Sequence, residues 1–382
     1  MAFFFGEKFK LNKDNTLRLR IPIGSLDKPF KPLEVIVERD GYNFPITDVN
    51  QVLNNTDCLN NKDLKKPMTT EDLIKHLKDV HNISFSQDEE KQASSDLRVI
   101  NYYRISAFRK HIHVTTPSYT DLRILYNFDR YLRDSLSRLL PGIEVYLKTS
   151  LARFLSTNYG NYKSADSELS GGLAYLDDSI YINKPNKIKE VYLMRSIFAE
   201  ELVKKINKDH MITHHVIQYG GKIPIWVLFE EITLGQFSKF VSLLNDDVLK
   251  GWVNTILPKL PTSFCRSGIK SWISTIQLLR NKVAHSSKVY GEHIPYNPKL
   301  LQEDKDMVGS DISDSNFYDT YQHTIFGGLL TVKIFYNDLR LSDQESWNHF
   351  LEKIKERICN SSVIKHEELG FPDNWYRCLT LI

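Results

Sequence analysis

From Thr120 onward, Ile124, Leu125, Phe128, Tyr131, Leu132, Leu136 and Leu139 recur three and four positions apart. That is the spacing of one face of an α-helix. Ile143, Tyr146, Leu147, Leu151, Phe154 and Leu155 form a second run with the same period. Pro141-Gly142 stands between the two runs. Proline removes a helical hydrogen bond and crowds the preceding turn, so a kink or an interruption is expected there. Thr69-Thr70-Glu71-Asp72 reads as a capping sequence ahead of Leu73, Ile74, Leu77 and Val80. Helical spacing returns over 189–207, 225–229, 237–244 and 267–284, and again around 318–341 and 346–358. The Ser- and Gly-rich stretch 161–185 reads as a loop with little core, and Gly370-Phe371-Pro372 opens an aromatic tail.

The first sixty residues are patterned differently. Phe9–Leu11 and Leu17–Pro22 read as strands about a polar turn, and Leu33–Arg39 and Tyr42–Phe44 flank Asp40-Gly41. Asp-Gly between such runs is a hairpin signal. His111 and His113 alternate as in a strand, which puts both on one solvated face. The expected fold is therefore mainly α. A β-rich extension covers 1–62, a mixed helical linker covers 63–115, and an α-helical domain covers 116–382.

Composition narrows the class without naming it. Of the 382 residues, 41% are hydrophobic and 25% charged, ordinary values for a soluble globular chain with a sizeable core. A net charge of +3 does not announce a nucleic-acid partner, although local patches rather than totals bind phosphate. Cys58, Cys265, Cys359 and Cys378 are scattered, with no zinc or redox spacing, and free thiols fit a reducing compartment. The N-terminus lacks the basic start of a secretory signal, and no apolar run approaches the length of a bilayer span. A cytoplasmic protein without a membrane partner is expected. His210, His214 and His215 share a helical face in pattern, but no carboxylate or thiol completes a metal set. No metal or cofactor is expected.

Helix 267–284 carries the candidate chemistry. Ile269, Trp272, Ile273, Ile276, Leu279 and Val283 make one apolar stripe. Lys270, Ser274, Gln277, Asn281 and His285 lie away from its centre. Asn281 and His285, four apart, are neighbours. Arg280 falls roughly 140° from His285 on an ideal helix, so one straight helix does not aim both at one atom. Either Arg280 reaches around, or the helix ends near His285. Gly291 and Pro295 favour such an end.

An arginine, an asparagine and a histidine together suit RNA cleavage by transesterification, in which the 2′-hydroxyl attacks the neighbouring phosphate without a metal-bound water. Histidine moves protons near neutral pH. Arginine offers fixed donors to a phosphate that gains charge in the transition state. Asparagine can hold the histidine or a phosphate oxygen. DNA, lacking the 2′-hydroxyl, would be inert. Lys282 within the motif and Lys288 just beyond it are candidate supporting RNA contacts. On its own, Arg-Asn-x-x-x-His is better explained as a helix end with one ion-paired arginine and one capping histidine.

Several further blocks stand in order along the chain. They are Lys66-Pro67-Met68-Thr69, Asn101-Tyr102-Tyr103-Arg104-Ile105-Ser106, Leu125–Arg133, Ile143-Glu144 with a basic residue four further on, Pro224-Ile225-Trp226 with Glu230–Gly235, Leu278–His285, and Leu369–Trp375. Together they resemble the bacterial Abi (abortive infection, phage resistance) family, in its Abi-D/Abi-F branch, over about 66–379. That family is similar to the HEPN superfamily, helical bundles with an Arg-x(4–6)-His signature that act as ribonucleases and pair as homodimers. The resemblance implies a HEPN-type bundle and a phage-defence endoribonuclease with Arg280, Asn281 and His285 as its catalytic signature. It further implies Glu144 as a nearby acidic residue, and a toxin-like partnership with an RNA or protein antitoxin. Lys148 stands where the family more often has arginine, and lysine lacks the bidentate fork. A two-fold axis would let His285 of one chain meet Arg280 or Asn281 of the other. The other readings are a non-catalytic RNA-binding module and a structural dimerisation protein. Elsewhere, Tyr102 and Tyr103 read as a packed aromatic cluster, Trp226 and Trp272 as core, Glu230 as structural near the Gly235 turn, and Arg123, Arg130, Arg133 and Arg138 as a solvated face.

Overall fold

The computed structural model describes residues 17–23, 31–37, 66–160, 162–163, 168–258, 262–293, 295, 298–309 and 321–381. Contacts divide the chain into a unit of Met1–Pro67 and a unit of Met68–Ile382. In the first, β1 (Leu17–Ile23) pairs antiparallel with β2 (Lys31–Val37), with Leu17 opposite Val37 and Ile23 opposite Lys31. The expected strands at 9–11 and 42–44 and the Asp40-Gly41 turn lie outside the described residues.

The second unit is helical. It opens with α1 (Thr70–Asp79), α2 (Gln87–Leu97) and α3 (Tyr102–Ser106), followed by a 3-10 turn at Ala107–His111. Thr69 and Asp72 cap α1 reciprocally, as the sequence pattern requires. Glu89 accepts hydrogen bonds from the backbone N–H and the hydroxyl of Thr120, at 2.9 and 2.6 Å, and so ties α2 to the next helix. Partial burial works to raise the Glu89 carboxyl, but the hydrogen bonds from Thr120 and Ser86 overcome it and bring it down to about 2.

The next helix, α4 (Tyr119–Asn158), is 40 residues long and starts from a Ser118–Asp121 capping box. Its two apolar runs form one buried stripe from Leu122 to Leu155. Of the kink or interruption expected at Pro141-Gly142, the interruption does not occur, because Pro141 lies inside a continuous helix. The lost N–H removes one bond only, whereas Leu136, Leu139, Leu140, Ile143 and Leu147 are buried on both sides of it. Packing outweighs the local cost, and the Tyr336 hydroxyl donates to the Leu139 carbonyl at 2.9 Å.

After α4 come the two-residue strands β3 (Tyr162–Lys163) and β4 (Glu168–Leu169), and 3-10 turns at Gly171–Leu176 and Asp178–Ile180. This stretch, expected as a loop with little core, contributes Ala174, Tyr175, Ile180 and Tyr181 to the buried interior. Then follow α5 (Pro185–Lys205), α6 (His210–Gln218), α7 (Ile225–Glu231), α8 (Leu234–Leu243), α9 (Asp246–Ile256) and α10 (Thr262–Ala284). Trp272 is fully buried, but Trp226 is 52% exposed and is not core. Thr233 and Gln236, not Glu230, cap the turn into α8. Beyond the motif lie α11 (Gln302–Val308), α12 (Ile325–Tyr336), α13 (Leu341–Cys359) and α14 (Trp375–Leu379). α12 is buried on all sides except at Lys333, whose ammonium pairs with the buried Asp304 at 3.1 Å. Among the described residues, α4 and α10 pack together at the centre, with α7, α8, α9 and α12 against one or both of them. No helix is long and apolar enough to cross a membrane among the described residues.

Candidate functional site

α10 ends in a backbone motif that fixes the histidine. The Ser287 N–H donates to the Lys282 carbonyl at 2.8 Å, and the Ser286 N–H donates to the Val283 carbonyl at 3.0 Å. This is the paired closure of a Schellman cap, with His285 at the last half-helical position and Ser286 left-handed at φ 52°. Glycine is the usual occupant of that position, and a residue with a Cβ pays about 1 kcal/mol to adopt it. Two hydrogen bonds offset the strain. The Ser286 carbonyl accepts from Arg104 Nη1 at 2.7 Å and from Arg133 Nη1 at 3.2 Å.

Behind Ser286 lies a buried charge. Asp129, 1% exposed, sits on the apolar stripe of α4. Its Oδ1 accepts from the Val289 and Tyr290 N–H groups at 2.7 and 2.8 Å, and its Oδ2 accepts from Arg133 Nε at 2.9 Å. Arg133 thus belongs to an interior network and not to a solvated face. Its side chain is 11% exposed.

The C-terminal segment closes the loop from the other side. The Gly291 N–H donates to the Glu368 carbonyl at 3.1 Å, and Tyr290 exchanges hydrogen bonds with the backbone of Lys365. Gly291 is left-handed at φ 67°, with the His111 ring where a Cβ would stand, so no other residue fits. His111 and His113 do not share a solvated face on a strand. His111 ends a 3-10 turn, and both rings reach Glu368 at 2.6 Å. Lys288 contacts His111 Nε2 at 2.9 Å. An ammonium only donates, so Nε2 accepts, and Nδ1 carries the proton that faces Glu368. Burial works to raise the Glu368 carboxyl, but the hydrogen bonds from His113 and His111 outweigh it and hold it below its ordinary value.

The motif's own side chains divide into two sets. Asn281 is half-buried and His285 is exposed; among the described residues neither side chain has a hydrogen-bond or ion-pair partner. Arg280, 48% exposed, points to Glu144, with Nε 4.0 Å from its carboxylate. Glu144 is shared with Lys148, whose buried ammonium lies 2.8 Å from it and donates to the Ile232 carbonyl at 2.7 Å. The Glu144–Lys148 pair therefore braces α4 against the α7–α8 junction and draws Arg280 toward α4. Lys282 and Lys288 converge on Glu292 at 3.6 and 3.1 Å. The histidines of α6 stack with one another, His210 on His214. Among the described residues no group of His, Cys, Asp or Glu has the geometry to hold a metal ion.

A family model described as Abi-like protein matches residues 95–291, just over half of the chain. The chain belongs to the Abi-like family. The matched span opens in α2 and closes on Gly291, so it contains Arg104, Asp129, Arg133 and the whole Schellman end of α10. The blocks at 66–69 and 369–375 that resemble the same family fall outside it. No curated protein and no solved structure matches this Abi-like protein.

Sequence reasoning missed Asp129, Arg133, His111 and Glu368 as parts of the site. One signal was present for the first two. An aspartate spaced four from Leu125 and three from Leu132 lies on an apolar face, where a charge requires partners, and Arg133 is one turn further on. Nothing local in the sequence marks Glu368.

Proposed function

We propose that this Abi-like protein is a phage-defence endoribonuclease. It cleaves RNA through attack of the 2′-hydroxyl on the adjacent phosphate, with His285 transferring the proton and with Arg280 and Asn281 of a paired site meeting the phosphate. Membership in the Abi-like family supports the role in abortive infection. The observation that carries the chemistry is the contrast at the end of α10. The backbone that follows His285, from Ser286 to Gly291, is fastened by Arg104, Arg133, Asp129 and the Glu368 segment, while the imidazole itself is exposed and engages no described residue. An imidazole without a partner, beside a fastened backbone, is suited to general acid–base work. Arg280 faces Glu144 on α4 and on an ideal helix projects roughly 140° from His285, which favours a site completed by a second copy. Such a nuclease has to be restrained in a healthy cell, so the reading includes an RNA or protein antitoxin or an autoinhibited state.

The test is incubation of the purified full chain with labelled single-stranded RNA in EDTA. Products ending in 2′,3′-cyclic phosphate are expected. His285→Ala should abolish them, a loss of at least about 100-fold, with RNA binding retained. Binding by the wild-type chain without cleavage, with or without extract from infected cells, makes the protein a non-catalytic RNA-binding module. No binding of RNA under any of these conditions overturns both readings.

A further inference from the structure

Cations surround the end of α10, and nearly all of them have a carboxylate partner. Arg133 pairs with Asp129, Lys282 and Lys288 share Glu292, and Arg280 faces Glu144, which also holds Lys148. Arg104 differs. It is exposed, it has no carboxylate partner among the described residues, and the hydrogen bond it makes is to a neutral carbonyl, that of Ser286. A guanidinium carries five N–H donors, so one bond leaves a charged, planar fork that is held in place but unfilled. Its anchor is the residue next to His285. Because Asn101 caps the short helix that carries it, Arg104 is presented from α3, an element separate from α10. Its guanidinium is thereby held at the residue that follows His285.

We propose that Arg104 is a phosphate-binding residue of this site, receiving a phosphodiester oxygen of single-stranded RNA that lies against His285. This rests on the RNA-cleaving reading for its ligand but not on cleavage itself. Arginine is the side chain whose donor geometry matches a phosphate pairwise. Anchoring on Ser286 also lowers the entropy lost when the fork closes on its ligand. An ordinary surface arginine has no such second contact beside an unengaged histidine.

The experiment measures binding of a 2′-O-methyl RNA oligonucleotide, which cannot be cleaved by its own 2′-hydroxyl, to the full chain by fluorescence anisotropy over a range of salt. Loss of one phosphate contact lowers the slope of log affinity against log salt by about 0.7. Arg104→Gln is expected to show that decrease. Arg340→Gln, which removes an exposed arginine paired to Asp343, is expected to leave the slope unchanged. Thermal unfolding is followed alongside. A lower melting temperature with an unchanged slope makes Arg104 a fastener of the loop only and overturns the proposal. If Arg104→Gln lowers both, Arg104→Lys decides: a restored slope supports phosphate binding and an unrestored slope overturns it. An Arg104-dependent slope without cleavage of unmodified RNA keeps this proposal and removes the nuclease. Cleavage with an Arg104-independent slope does the reverse. Failure of the wild-type chain to bind the probe removes both.

Discussion

Removing the Asp129 carboxylate would leave three donors facing a space with no acceptor: the N–H groups of Val289 and Tyr290 and the guanidinium of Arg133. Buried donors without partners lose their full hydration, and a buried pair broken on one side costs far more than an exposed one. Asp129→Ala is expected to destabilise the chain by about 3 kcal/mol, measured by urea unfolding. Asp129→Asn, which keeps an oxygen acceptor but loses the charge, should cost less. The same substitutions should raise hydrogen exchange at the Val289 and Tyr290 amides before global unfolding. A cost below about 1 kcal/mol for Asp129→Ala, in the range of an exposed pair, would show that Asp129 does not hold this loop. Cleavage should fall with the loosened loop even though Asp129 touches no reacting atom. Displacing His285 disrupts the placement on which proton transfer depends.

The long helix α4 tests how far packing overrides local rules. Pro141 is exposed within a continuous helix, so replacing it should restore the missing hydrogen bond without disturbing the core. Pro141→Ala is expected to gain roughly 2 kcal/mol, about 3 from helix propensity less about 1 for the freer unfolded chain. A neutral or destabilised variant would mean that Pro141 shapes α4 in a way its neighbours require. The proline also marks the limit of what was legible in the sequence. Apolar spacing located α1, α4, α5 and α10, because each buries one continuous stripe. It did not identify α9, although Val248, Leu249, Trp252, Val253 and Ile256 are buried from it. It also placed His111 and His113 on a strand, because two alternating β-branched residues outweighed a short 3-10 turn held by distant partners. In the candidate site, Arg280, Asn281 and His285 were legible as a local pattern. Their fasteners were not, because Arg104, Asp129 and Glu368 come from segments far apart in the chain and meet only at the loop 286–291.

At the scale of the whole molecule, the divergence of Arg280 and His285 becomes a question of assembly. Within one chain Arg280 is drawn toward Glu144 on α4, while His285 sits past the last turn of α10. A closed two-fold pair would place the two residues of different chains at one phosphate, giving two equivalent sites. Mixing two dead variants separates this arrangement from a site within one chain. Arg280→Ala and His285→Ala should each be inactive alone. After subunit exchange about half of the pairs are mixed, and each mixed pair rebuilds one of its two sites, so roughly a quarter of wild-type cleavage should return. If both residues act within one chain, no mixture contains a complete site and nothing returns. Light scattering on the mixture settles which explanation silence has: pairs that form without recovering cleavage confine the chemistry to a single chain, and chains that never pair rule out the composite site directly. Arg104 makes the comparison sharper, since a cation already anchored beside His285 in the same chain would bind RNA in either arrangement. Binding should therefore survive in every mixture, and the recovery of cleavage alone reports whether a second copy completes the site.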